Sequence, residues 1–181
     1  MTPIDEIERL VGAVTDADHV RGDSNASLTL VEYGEFECPH CGRAYHAIKE
    51  LLEEAGDVRF VFRHFARDEV HPFSERSAQA AEAAGAQGRF WEMHDILFES
   101  QHQLEHNDLE LHAERLGLDV ERFRREMRDQ VHLPRVRADL DSGLASGVTE
   151  TPTFFINGVK YTGSYSAQGL RVATRSLRHP A

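Results

Sequence analysis

The chain has 181 residues, 40% of them hydrophobic, and Lys+Arg 20 against Asp+Glu 31 leaves a formal net charge of −11 at pH 7. That length suits one domain, or one domain with an inserted subdomain, large enough to bury a core without help from disulfides or metals. The acidic balance and the lack of a basic run weigh against nucleic acid as a partner, and no apolar run approaches the roughly 18 residues of a membrane span.

The first stretch, MTPIDEIERLVGAV, carries Asp5, Glu6, Glu8 and Arg9 where a secretory signal needs a basic start and an uninterrupted apolar run. The expected location is therefore the cytoplasm, or the periplasm or exterior if a signal peptide was trimmed. Residues 1–26 read as a polar, acidic arm with turn formers Gly22, Asp23, Ser24 and Asn25. From Ser27, SLTLVEYGEFE puts Leu28, Leu30 and Glu32 on alternating positions, a buried strand that stops near Gly34. GRAYHAIKELLEEAG then places Ala44, Ile48, Leu51 and Leu52 on one helical face, with Gly56 as its stop. DVRFVFRHF alternates again and is rich in Val and Phe, which predicts a second strand parallel to the first after a right-handed crossover.

A helical block follows from about Ser74 to Ser146, divided into four or five helices with boundaries or caps at Gly88, Asn107 and Asp119. Within it Trp91, Met93, Ile96, Leu97 and Phe98 are spaced as one helix face, which belongs to the core or else forms an apolar rim for unfolded clients. After Thr151 and Pro152, TFFI and VKYT flank Asn157-Gly158, a hairpin signal, and a last helix runs from about Ser166 to Leu177. The expected class is α/β, with an arm at 1–26, a sheet domain at 27–73 and 147–181, and an inserted helical domain at 74–146.

The only two cysteines, Cys38 and Cys41, flank Pro39 and His40 where the first strand feeds a helix. Unpaired N–H groups at a helix start stabilise a thiolate, so Cys38 is the expected nucleophile. Cys41, one turn further in and more buried, is the resolving thiol. Pro39 has no N–H to leave unpaired in the first turn, and His40, if protonated, adds a cation near the sulfur. The competing readings are a zinc half-site, for which His64 and His71 are poorly spaced as further ligands, and an inert structural disulfide. The histidines at 94, 102, 106 and 112 suggest a solvated helix end rather than a metal site, and none is assigned. No G-x-S-x-G, G-x-x-x-x-G-K-[ST] or G-x-G-x-x-G motif is present.

DHV near 18–20, VEYGEFECPHC at 31–41, FRHFA at 62–66, FWEMHDILF at 90–98 and VTETPTFFINGVKYTG at 148–163 together resemble the DsbA-like disulfide oxidoreductases of the thioredoxin superfamily. The resemblance spans about residues 17–178 and implies a thioredoxin-like fold with an inserted α-helical domain. It implies a thiol-disulfide oxidoreductase that works through a redox-active Cys38–Cys41 disulfide, with no other cofactor. By the same resemblance Pro152 is the cis-proline beside that disulfide, Thr151 contacts the substrate backbone, and Glu32 is the buried acid that accepts the proton of Cys41. The alternative for Glu32 is a solvent-facing place at the strand edge. Some signal-less members of this family occur fused to sodium/proton antiporters.

Two departures modify the expectation. Glu35, Glu37 and Glu150 would surround Cys38 with carboxylates, making its thiol less acidic and the disulfide less oxidising than CPHC alone suggests. Without a signal the pair would sit reduced in cytosol and act as a reductase or isomerase. The implied partners are protein or peptide thiols and disulfides, with basic clients favoured by the acidic rim, and a recycling thiol reductant or oxidant. Nucleic acid and membrane are not expected partners, and the chain is taken as a monomer. The alternatives are a peptide-binding module or holdase without turnover, and a glutathione-dependent transferase or isomerase.

Overall fold

A computed structural model describes residues 8–178, so the acidic start of the arm at 1–7 and the last three residues lie outside the described residues. The elements are β1 (His19–Gly22), β2 (Leu28–Gly34), α1 (Pro39–Glu54), β3 (Val58–His64), α2 (Ser74–Gly85) and α3 (Phe90–Glu99). They continue through α4 (His106–Arg115), α5 (Val120–Arg128), α6 (Leu133–Ala145), β4 (Thr153–Ile156), β5 (Val159–Tyr161) and α7 (Ala167–Arg178). The class is α/β, with one mixed sheet in the order β1-β3-β2-β4-β5.

β2 and β3 pair in parallel across the α1 crossover, with Glu32 opposite Phe62, while the other pairs are antiparallel. Being central, β2 is covered on both faces, and its period of two divides the core. Leu28 and Leu30 face a large cluster with Ile48, Leu51, Phe60, Met93 and Leu97. Val31 and Tyr33 face a smaller one with Val61, Phe65, Val148 and Phe155.

The expected arm over residues 1–26 contains structure that its composition hides. Residues 19–22 form the edge strand β1 against β3. A buried Arg63–Asp18 pair, 2.8 Å apart, pins the segment before it, and Arg63 also donates to the carbonyls of Gly12 and Ala13. A strand of four half-exposed residues has too little periodicity to be read from sequence; its partner strand makes it.

Five helices lie between β3 and β4. Ala80, Ala81, Ala83 and Ala84 are buried along α2, where small side chains allow close packing against α3 and α5. Asp119 caps α5 by accepting from the Arg122 N–H at 2.9 Å. Asn107 caps nothing: it lies inside α4, whose N-cap is Glu105 in a reciprocal capping box with Asp108. On α3 the fully buried face is Phe90, Met93, His94, Leu97 and Phe98, with Trp91 and Ile96 half-buried. Trp91 is held against β1, its indole N–H donating to the Val20 carbonyl at 3.0 Å under the Arg21 guanidinium. The β4–β5 hairpin turns on Asn157 and Gly158 with φ of 48° and 80°, the left-handed pair of a type I′ turn.

Candidate active site

The end of β2 delivers the chain into a loop whose last residue, Cys38, is the N-cap of α1, with Pro39 in the first turn. Both cysteines are free thiols, Cys38 4% and Cys41 0% exposed. The Cys38 thiol is lowered to about 5, chiefly by a hydrogen bond from the Cys41 side chain. Burial opposes the shift, while the Thr151 side chain and the backbone N–H groups of Cys41 and His40 add to it. These N–H groups are the unpaired donors of the helix start. Burial pushes Cys41 well up from its ordinary value, and its bond to Cys38 and the charges of Glu32 and Cys38 push the same way. Two sulfurs one turn apart are thus tuned in opposite directions.

Glu32 is 1% exposed, so the solvent-facing alternative does not hold. Burial, with a smaller contribution from the Cys38 charge, raises its carboxyl to about 8. Gly34 makes room for it: a Cβ there would lie 2.9 Å from Glu32 Oε1 and 2.8 Å from the Phe62 ring. The Thr151–Pro152 peptide is cis, and Cys38 Sγ lies 3.5 Å from the Thr151 carbonyl oxygen. The His40 imidazole turns outward, its Nδ1 accepting from Arg43 at 2.7 Å and lying 3.0 Å from the Tyr165 hydroxyl. What His40 directs at the sulfur is its backbone N–H, where a side-chain cation was expected.

The expected acidic rim is largely absorbed by the fold. Glu35 is 4% exposed and bound by His71, by the Ser74 hydroxyl and, at 3.4 Å, by the Thr151 hydroxyl; burial raises its carboxyl. Glu37 accepts from the Phe73 N–H at 2.8 Å, satisfying the start of α2. Of the three carboxylates only Glu150 is exposed.

Gln101 is a site residue that the sequence does not reveal. Its side-chain amide donates to the carbonyls of Phe36 at 2.8 Å and Cys38 at 2.9 Å, fastening both ends of the active loop. Neither its spacing nor its type marks it; only the packing of the loop after α3 against α1 brings it there. Among the other histidines, His106 pairs with Glu110 and His112 lies 3.1 Å from the Gln103 carbonyl. Among the described residues no group of three His, Cys, Asp or Glu side chains is arranged to hold a metal ion, and no helix is long and apolar enough to cross a membrane.

The Thioredoxin family model matches residues 14–173. The Na(+)/H(+) antiporter NhaA 1 of Salinispora arenicola is 47% identical over 170 residues, and NhaA 3 of Salinispora tropica 46% over 170 residues. Each match covers 94% of this chain but 26% of the relative, so the chain spans about a quarter of the length of the curated relatives it matches. A thioredoxin-like oxidoreductase from Silicibacter pomeroyi superposes with a TM-score of 0.78 at 26% identity, over 91% of this chain and 94% of that one. BdbD from Bacillus subtilis, in its oxidised form, shares the fold at a TM-score of 0.75 and 22% identity, over 88% of this chain and 92% of that one. With its two thiols at the start of α1, opposite a cis-proline and above a buried acid, the chain belongs to the thioredoxin family.

Proposed function

We propose that the chain is a thiol-disulfide oxidoreductase acting on proteins and peptides through Cys38 and Cys41. What carries this reading is the placement of Cys38 at the N-cap of α1, 3.5 Å from the carbonyl oxygen of Thr151 before the cis-Pro152, with Cys41 buried one turn behind it. The opposite tuning of the two thiols, one lowered to about 5 and its neighbour raised, agrees with it. The Cys38 thiolate attacks a substrate disulfide, forming a Cys38–substrate bond and releasing the other substrate sulfur as a thiolate. Cys41 then attacks Cys38, its proton passes to Glu32, and the second substrate thiolate leaves. The substrate gains two electrons and the cysteine pair becomes a disulfide; the reverse sequence oxidises a dithiol. Glu32 must be ionised to take the proton, so the Cys41 step should quicken as pH rises toward about 8. Thr151 offers its backbone to an extended peptide, and Pro152 has no N–H to pair elsewhere.

A stabilised thiolate favours the reduced pair and makes the disulfide a stronger oxidant. With its Cys38 thiol at about 5, the protein falls between DsbA at about 3.5 and thioredoxin at about 7. We therefore expect a potential between about −120 and −270 mV, measured by equilibration against glutathione buffers with thiol counting. A value at or below the thioredoxin figure would make the protein a reductase. Insulin reduction should vanish in Cys38→Ser. Wild-type peptide binding without turnover would favour a binding module, and full activity in Cys41→Ser a glutathione-dependent transferase or isomerase.

The Thioredoxin family match covers residues 14–173 and the segment shared with the Salinispora antiporters is about a quarter of their length, so the function we propose for this chain is redox chemistry and not ion transport.

A further inference from the structure

Glu32 Oε1 and His94 Nε2 are buried polar atoms with no hydrogen-bond partner among the described residues. They come from β2 and α3, yet both residues line one cavity of about 10 Å³, the room of a single water. Buried polar atoms are seldom left unpaired, and an ordered water is a common partner. His94 is 2% exposed and its ring is fixed, with centroids 4.8 Å from Phe62 and 4.9 Å from Phe98. Its Nδ1 lies 2.9 Å from Asp95 Oδ1, and Asp95 accepts from Arg21 at 3.0 and 2.9 Å. A carboxylate beside Nδ1 makes that nitrogen the N–H donor and leaves the Nε2 lone pair free to accept. Burial also lowers the imidazole to about 4, against the pull of Asp95, which keeps the ring neutral and able to accept. Asp95 and Arg21 are half-buried, so the chain of bonds ends at solvent.

We infer that His94 is a positioning residue for the Glu32 proton. One water joins Glu32 to His94 Nε2, and His94 with Asp95 forms the path by which the proton leaves the interior. The inference rests on reading Cys38 and Cys41 as an exchanging pair. In the outward step the Glu32 O–H bond breaks and its proton goes to the water, a water proton goes to Nε2, and the Nδ1 proton passes to Asp95 and on to bulk solvent. The imidazole is left in its other tautomer. When the disulfide is reduced again, Cys41 needs a proton back, the same path runs inward, and the tautomer is restored. One proton leaves per disulfide formed and one returns per disulfide reduced. The ionisable groups around Glu32 and His94 are Cys38 at the N-cap of α1, Cys41, Tyr45 and Lys49 from α1, Arg21 from β1, His64 from β3, and Asp95 from α3.

Two measurements test this. In the reduced wild-type protein, ¹⁵N NMR should find His94 protonated at Nδ1 and bare at Nε2 near neutral pH, and forming the disulfide should move the proton to Nε2; a proton on Nε2 in the reduced protein would overturn the inference without any variant. In kinetics, Cys38 is loaded with oxidised glutathione and the loss of the mixed disulfide is followed, with Cys38 alkylation against pH as the control. His94→Phe keeps an aromatic ring among aromatic rings but removes both nitrogens. It should slow the Cys41 step about tenfold or more at neutral pH and leave the alkylation midpoint where it was. Wild-type speed and pH profile in His94→Phe would overturn the inference, as would a shifted alkylation midpoint, which would mark a packing effect. If the wild-type protein forms no mixed disulfide at Cys38, or never resolves it, the exchange reading itself fails.

Discussion

Gln101 lies directly over Gly42, so close that a Cβ on residue 42 would stand 2.3 Å from the Gln101 side-chain oxygen. The neighbour is the end of a flexible side chain, so Gly42→Ala would push it aside, and the cost falls on the bonds that Gln101 makes to Phe36 and Cys38. We expect a loss of about 1–3 kcal/mol for these two bonds, read from denaturant midpoints, and a similar loss in Gln101→Ala. The double variant should lose little more than either single one. Fully additive losses would mean that Gly42 matters for another reason.

The Cys38 thiolate depends first on the Cys41 S–H. Removing that donor in Cys41→Ala should raise the Cys38 midpoint from about 5 toward the ordinary 9.0, while Cys41→Ser, which keeps a donor, should raise it less. Thiolate ultraviolet absorbance against pH reads both. An unmoved midpoint in Cys41→Ala would assign the whole effect to the helix start.

Acid should unfold the protein partly through Glu82. Burial alone would raise this carboxyl, but hydrogen bonds from His19 at 2.7 Å and His64 at 2.9 Å hold it well below the usual carboxylate range. A depressed folded-state value contributes stability that is present above the unfolded value of 4.5 and is lost as pH falls toward the folded one. Glu82→Gln should therefore be less stable than wild type at pH 7, and the gap should narrow as pH falls below 4.5. Melting temperatures across that range give the answer, and a gap constant with pH would sink the assignment.

Asn157 has two tasks: its φ of 48° and a side-chain oxygen that accepts from the Thr29 N–H at 2.8 Å. Ala is poorly suited to the first and lacks the second, so Asn157→Ala should cost about 1–2 kcal/mol of unfolding free energy. Asn157→Gly, which adopts the turn freely, should lose only the hydrogen bond and cost less. Equal losses would show that backbone conformation contributes nothing.

Most of the frame was legible in the residues because its signals are local. The alternation over Leu28–Gly34, the helical spacing of Ala44, Ile48 and Leu51, Asn157-Gly158 and the Cys38–Cys41 spacing each follow from neighbouring chemistry within a few positions. From these come the β-α-β start, the hairpin and a nucleophile at a helix start, while the block after Ser74 reads only as four or five helices, of which the structure has five. What only the tertiary structure decided is set by distant parts of the chain. Glu32 is buried because β3 and β4 flank β2 while α1 and α3 cover its face, and its raised carboxyl follows from that loss of water. Glu35 left the expected acidic rim because His71 and Ser74 reach it from the segment after β3. Gln101, His94 and β1 enter through packing and register, to which no periodicity or spacing along the chain corresponds. Desolvation depends on everything packed around a group, so the identity of the reactive residues was readable in sequence order, and their acidities were not.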